Sequence, residues 1–278
     1  MNANNAVSRS RRMVTPDGRN AAETASAKRS SPLPQPSRPF VLINMAMTAD
    51  GKIATANRAI STFGSRRDHD NLMKLRTTAD AVMSGARTVN SGKITLGPGG
   101  PRYRRLRRRR GLTEYPLRII VSGSGSIEAN AEVFKHRFSP VIILTTRRIP
   151  SAKVRQLRSL AAHVKICGVR EVNWGMAMRW LARKWGVRRL LCEGGGHLND
   201  AMFRAGLVDE LHLTVCPKIF GGRTAPTIAE GTGVPTLAAA TKLRLHSRRR
   251  HGDELFLVYV RHKTARRPER PAAVSSGR

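Results

Sequence analysis

The run Leu190-Leu191-Cys192-Glu193-Gly194-Gly195-Gly196-His197-Leu198 decides how the rest of this chain is read. An apolar strand passes into an acid, then three glycines, then the start of a helix. Glycines remove the Cβ atoms that would hold a ligand off the backbone, and the N–H groups of a helix N-terminus attract an anion, most often a phosphate. Glu193 at the strand end adds one ionisable group beside that anion. The same string also serves as an ordinary strand-to-helix connection, so on this stretch alone the two readings stand level.

Outward from it, the apolar runs predict strands at residues 40–47, 81–85, 117–121, 141–145, 164–167, 190–192, 207–215 and 253–260. Helical spacing predicts helices over 66–77, 151–162, 173–186 and 197–205, the last capped by Gly206. Trp174, Met178, Leu181 and Trp185 share one face of the third. A short extended piece is expected at 53–55. Residues 90–116 read as a long irregular loop, and the basic run 102–110 within it as solvated, or as a phosphate-gathering segment. Strands alternating with helices argue a parallel α/β sheet, and the C-terminal strands without intervening helices an added antiparallel pair. Ligands of such sheets sit beyond the carboxyl ends of the strands. The turns at 50–52, 85–89, 122–125 and 193–196 all belong to that edge, which suits a long phosphate-bearing ligand.

Composition bounds the function less sharply. A chain of 278 residues has core enough for one large domain or two small ones. No stretch approaches the roughly 20 consecutive apolar residues needed to cross a bilayer. Ser8-Arg9-Ser10-Arg11-Arg12 has no hydrophobic segment after it to complete an export signal, so a cytoplasmic location is expected. Cys167, Cys192 and Cys216 lie far apart beside apolar runs, as buried reduced thiols do. Residues 1–38 and 261–278 read as disordered basic tails around a domain at 39–260. The formal charge of +33 permits non-specific nucleic-acid binding, but only 5% of residues are aromatic and no nucleic-acid-binding signature occurs.

The four turns, in their order, resemble the reductase domain of the bifunctional riboflavin-biosynthesis deaminase/reductase. The matching stretches are Ile43-Asn44-Met45-Ala46-Met47-Thr48-Ala49-Asp50-Gly51-Lys52, Lys74-Leu75-Arg76-Thr77-Thr78-Ala79-Asp80 and Gly85-Ala86-Arg87-Thr88-Val89. The most specific is Glu193-Gly194-Gly195-Gly196, continuing through Gly206-Leu207-Val208-Asp209-Glu210-Leu211 to Pro217-Lys218-Ile219-Phe220-Gly221-Gly222. The resemblance implies a dihydrofolate-reductase-like α/β fold, with a mostly parallel central sheet flanked by helices and C-terminal antiparallel strands. It implies reduction of the ribosylamino sugar of a phosphoribosylaminopyrimidine by NADPH, in a homodimer. Gly194, Gly195, Gly196, His197 and Leu198 would hold the cofactor diphosphate, with Ala46, Thr88, Ser122 and Gly123 also against the cofactor. Arg76, Glu193, Asn57 and Ser61 would contact the substrate, and Lys52 would guide the sugar for hydride transfer, with Glu193 beside it.

Those roles agree with the chemistry of the side chains. An ammonium such as Lys52 can polarise a sugar oxygen or donate a proton, Glu193 can fix a ribose hydroxyl or balance Lys52, and the planar fork of Arg76 suits a phosphate. Asp50, in an Ala-Asp-Gly turn, reads as structural, and His197 as a donor of its backbone N–H. The chain departs from the family pattern at Asn90-Ser91-Gly92-Lys93, where an acidic segment is usual, which leaves a different pterin-like or carbonyl substrate as the alternative. No His-x-Glu with a downstream Pro-Cys-x-x-Cys occurs, which excludes the family's zinc deaminase chemistry. A basic nucleic-acid-binding protein is the rival of another class.

Overall fold

The computed structural model describes residues 37–58 and 62–262. In chain order the elements are β1 (Phe40–Thr48), α1 (Arg66–Arg76), β2 (Ala81–Gly85), α2 (Ala86–Asn90), α3 (Pro101–Arg109), β3 (Leu117–Val121), α4 (Glu132–Lys135), β4 (Val141–Thr145), α5 (Ser151–Leu160), β5 (His163–Ile166), α6 (Trp174–Trp185), β6 (Arg189–Cys192), α7 (Gly196–Arg204), β7 (Glu210–Cys216), β8 (Leu243–His251) and β9 (Glu254–Arg261). They build one sheet in the order β5-β4-β3-β2-β6-β1-β7-β9-β8, parallel from β5 to β7, with β9 antiparallel to both β7 and β8.

The central parallel strands are mostly apolar because both faces are covered, whereas the edge strand β5 carries His163 and Lys165. On one side Val41, Ile43, Met83, Ile119 and Leu144 pack with Met178 and Leu181 of α6 and Met202 of α7. On the other, Leu42, Val82, Ile120 and Ile143 pack with Leu75 of α1, Val89 of α2, Phe134 of α4 and Leu157 of α5. Trp174, Trp180 and Trp185 pack against the first cluster. The three cysteines are buried and free; burial pushes the Cys192 thiol up to about 12. No helix among the described residues is long and apolar enough to cross a membrane.

Several expectations change. The basic run is not a loop. Gly100 and Pro101 start helix α3, which suits proline's fixed φ and arginine's good helix propensity. Arg107 inside it is fully buried, donating to the carbonyls of Arg76, Ala79 and Thr113 at 2.5–2.8 Å. Those bonds satisfy the end of α1 and the turn after it, and burial pulls this guanidinium down to about 10. The run therefore ties α1 to the body. The expected extended piece at 53–55 is no strand; Lys52 alone bridges to Thr227. Strand β8 is polar and exposed, so no apolar alternation announced it. The short helix α2 lay inside a segment read as a turn, and α4 lies in a stretch the sequence left unassigned. The readings of the tails lie outside the described residues except at their inner ends. There Arg38 grips Asp209 with two bonds of 2.7 Å and Arg261 closes β9, so both belong to the folded body.

Candidate active site

The carboxyl ends of β1, β2, β3 and β6 open into one cleft of about 1210 Å³, larger than a single small ligand needs. All four glycine- or serine-bearing turns reach this edge, as the parallel order requires.

The 193–198 turn is knitted to the end of β2. Glu193 N–H donates to the Met83 carbonyl at 2.8 Å, and the Gly194 carbonyl accepts from Gly85 N–H at 2.9 Å and from the Ser84 hydroxyl at 3.2 Å. The three glycines have different reasons. Gly194 has φ +73°, and a Cβ there would stand 2.7 Å from Met45 Sδ; it does not line the cleft. At Gly196 a Cβ would meet the Thr227 carbonyl at 2.6 Å, so the segment after β7 lies directly on it. Gly195 is the N-cap of α7, its N–H donating to Thr88 Oγ1 at 3.3 Å, and it lines the cleft. The backbone N–H groups of 196–198, the first turn of α7, have no carbonyl within the helix to receive them. Gly194 thus serves the protein's own packing, while Gly195 and Gly196 both line the cleft, Gly196 with the Thr227 carbonyl against it as well.

Glu193 is not balanced by Lys52. Its two carboxylate oxygens accept from Nε and Nη2 of Arg76, both at 2.6 Å, and Arg76 Nη1 donates to the Gly97 carbonyl at 2.5 Å. The side chains are only 10% and 11% exposed. The fork of Arg76 is therefore committed to Glu193 and does not stand open for a phosphate. The pair presents a fixed polar wall, because two-point pairing of planar groups sets orientation as well as distance.

Of the other residues singled out from the sequence, Ala46, Thr88, Ser122, Gly123, His197 and Leu198 line the cleft. The Ser122 hydroxyl is already used, accepting from Ser126 N–H at 2.9 Å. His197 carries a role the sequence reading missed: its Nδ1 lies 3.3 Å from Glu230, which Arg58 also holds at 3.1 and 3.3 Å. These contacts latch the segment after β7 over the start of α7. Lys52 and Asn57 do not line the cleft. The Lys52 ammonium donates to the Ala225 carbonyl at 3.3 Å, and Asn57 accepts from the Thr55 hydroxyl at 2.6 Å. Ser61 lies outside the described residues. None of residues 101–110 lines the cleft, so α3 does not gather phosphate there. Asp50 is structural, accepting from Thr48 Oγ1 at 2.5 Å and Gly221 N–H at 2.8 Å, bonds that hold its carboxyl below the usual range.

Asp68, Leu72 and Arg76 line the cleft together. Their spacing of four residues places them on one face of α1, a pattern visible in the sequence but masked by the charged residues around it.

With this geometry in view, residues 39–257 match the family described as the RibD C-terminal domain. The chain belongs to that family. Over 230 residues, 80% of this chain and 98% of the relative, it is 33% identical to the 2,5-diamino-6-ribosylamino-4(3H)-pyrimidinone 5′-phosphate reductase of Methanothermobacter thermautotrophicus. To the riboflavin biosynthesis protein RibD of Actinobacillus pleuropneumoniae it is 28% identical, over 81% of this chain but only 58% of that longer protein. Among solved structures, a pyrimidine reductase-like protein from Corynebacterium diphtheriae shares the RibD-type fold with a TM-score of 0.67, at 21% identity over 81% of this chain and 93% of that one. Acinetobacter baumannii RibD superposes with a TM-score of 0.64 at 17% identity, over 82% of this chain and 59% of that one. This RibD-family chain is a reductase of riboflavin biosynthesis, on the mixed, mostly parallel sheet expected from its sequence.

Proposed function

We propose that the protein is an NADPH-dependent reductase of a phosphoribosylaminopyrimidine. The observation that carries this reading is the pairing, across one cleft of about 1210 Å³, of the open first turn of α7 with the buried Arg76–Glu193 wall. A backbone anion site and an oriented polar wall in one space suit a dinucleotide beside a polar sugar substrate.

The residues present fit the cofactor. The N-terminus of α7 would hold the diphosphate, with Thr88, Ser122, Gly123 and Ala46 along the adjoining strand ends. When bound, the reduced nicotinamide supplies a hydride to sugar C1′, the C1′–O4′ bond breaks and O4′ takes a proton. Glu193, fixed by Arg76, accepts ribose hydroxyls and sets the sugar against the sheet edge. Lys52 sits at the cleft margin beside Ile53, which lines it; leaving the Ala225 carbonyl lets its ammonium reach the sugar oxygen as proton donor. The names of the similar reductases support the substrate class. The same reading carries a homodimer in the cytoplasm, and light scattering giving twice the 30.6 kDa chain mass would support the dimer.

The test is cofactor oxidation followed at 340 nm with the ribosylaminopyrimidine phosphate. Turnover with NADPH, much weaker with NADH, is expected; absence of any NADPH binding sinks the reading. Lys52→Ala is expected to keep cofactor affinity and lose turnover by about 10²–10⁴-fold, the usual scale of a lost proton donor. Undiminished turnover would remove Lys52 from the mechanism.

A further inference from the structure

Beyond the motif at 217–222, residues 224–230 form a strap between β7 and β8 that is bonded to two sides of the cleft. On one side it holds the turn that carries Lys52. Ile53 N–H donates to the Pro226 carbonyl at 2.9 Å, and the Lys52 ammonium to the Ala225 carbonyl at 3.3 Å. On the other side it lies on the start of α7. Glu230 N–H donates to the Gly196 carbonyl at 2.9 Å, and Asn199 Nδ2 to the Ile228 carbonyl at 2.8 Å. A glycine with positive φ stands at each end, Gly222 at +80° and Gly231 at +143°, so both junctions have the backbone freedom of a hinge.

The strap brings a negative charge to the anion site. Glu230 Oε2 lies 3.3 Å from His197 Nδ1 and accepts from Arg58 Nη1 at 3.3 Å, while Oε1 accepts from Arg58 Nη2 at 3.1 Å. The same Oε2 is 3.1 Å from where a Cβ on Gly196 would stand. Arg58, Gly196, His197 and Glu230 all line the cleft. The first turn of α7 thus faces a carboxylate of the chain's own, and two cations beside it are engaged with that carboxylate. A carboxylate and a phosphate seek the same partners, and two anions a few ångströms apart in a partly buried cleft repel strongly. The hold on Glu230 is also loose. Its bonds to Arg58 are longer than the 2.6 Å bonds of Arg76 to Glu193, and that arginine is 39% exposed against 10% for Arg76.

We propose that Glu230 is a tethered anion which gives up its place to the cofactor diphosphate, and that its departure releases Lys52. This rests on the cofactor site and the Lys52 role proposed above and adds an order of events to them. Arg58 and His197 pass from the Glu230 carboxylate to phosphate oxygens, which makes Arg58 a further cofactor-binding residue. The strap then turns about Gly222 and Gly231, and the Ala225 carbonyl moves off the Lys52 ammonium. Until that exchange Lys52 is held by the strap, so the sugar oxygen receives no proton before the hydride donor is in place. Cofactor therefore binds productively before substrate.

A latch that merely braced the site would act with the opposite sign. Losing such a brace loosens the strap and weakens the diphosphate site, whereas losing a competitor strengthens it. Arg58 separates the two roles again. As the cation that changes partners, it is needed by the diphosphate even though it also holds Glu230, so its loss weakens binding where the loss of Glu230 tightens it.

The experiment measures calorimetric binding of NADP⁺ and of inorganic pyrophosphate to the full chain, together with hydrogen exchange at the Ile53 and Glu230 amides. Glu230→Gln, near-isosteric and with the backbone bonds of the strap intact, is expected to bind both probes about 5–20-fold more tightly, the scale of one charge at a helix terminus. Arg58→Met is expected to bind both about tenfold more weakly, as the loss of a charge-assisted bond pair does. In the wild type either probe should speed exchange at both amides, because those two bonds tie the strap to the Lys52 turn and to α7. Equal or weaker binding by Glu230→Gln, or exchange that either probe leaves unchanged or slows, overturns the proposal. Turnover is a separate readout. Tighter pyrophosphate binding in Glu230→Gln with faster exchange, but no NADPH oxidation, supports the strap and sinks the reductase reading; turnover without either effect does the reverse.

Discussion

The two walls of the cleft are built on different principles. The wall at 193–198 is continuous in sequence and works through backbone: a strand end, a glycine turn zipped to β2, and the opening N–H groups of α7. The wall on α1 works through side chains, and none of its partners is near in sequence. Arg76 meets Glu193 from 117 residues away and the Gly97 carbonyl from 21. A backbone site binds any ligand with a diphosphate and tolerates change around it. A side-chain wall assembled from distant strands discriminates, and depends on every member being in place.

Breaking the α1 wall should therefore cost most. Arg76→Ala leaves Glu193 as an unpaired buried carboxylate, and urea titration should show a loss of about 3–5 kcal/mol. Arg76→Met with Glu193→Gln should recover much of that stability without recovering turnover. A wild-type-like denaturation midpoint in Arg76→Ala would show that the pair is more solvated than its geometry indicates. On the other wall, Gly195→Asp places a carboxylate at the anion site and should weaken cofactor binding at least about a hundredfold, near 2.7 kcal/mol. Its melting curve should stay close to wild type. Gly194→Ala sharpens the contrast within one turn. Because Gly194 has a positive φ and no place on the cleft surface, stability should fall by about 1–2 kcal/mol with cofactor affinity little changed. A selective loss of affinity there would mean that the turn acts as a single ligand-binding unit. The smallest effect is expected at the latch: Glu230→Gln, losing a partly exposed pair with Arg58, should cost no more than about 1 kcal/mol.

How much could be read in advance follows the same division. The glycine turn, the strand ends around it and the edge they share were legible because each is local and the order of parallel strands puts their ends together. Helix α3 was misread because nine positions rich in arginine look solvated, whereas Arg107 turns inward to cap carbonyls that only the folded chain brings near. Strand β8 was missed because an exposed strand whose partner is a hairpin neighbour has no need of an apolar face. The pairing of Glu193 with Arg76 instead of Lys52 could not be read, since sequence spacing says nothing about which of two cations the fold places beside an acid. Asp68 had a signal, its i, i+4, i+8 relation to Leu72 and Arg76, but the sequence could not show its orphaned oxygen.

The amino-acid sequence alone determined the α/β class, the family, and the glycine turn at the carboxyl edge of the sheet. Those rest on hydrophobic periodicity and backbone geometry, which are short-range properties of the chain. Tertiary structure alone decided that the Gly194 position serves packing, that Arg76 is spent on Glu193, and that Asp68 and Asn44 share a cleft with acceptors unmet. Burial and pairing depend on what the fold brings from a hundred residues away, and no local pattern encodes that meeting.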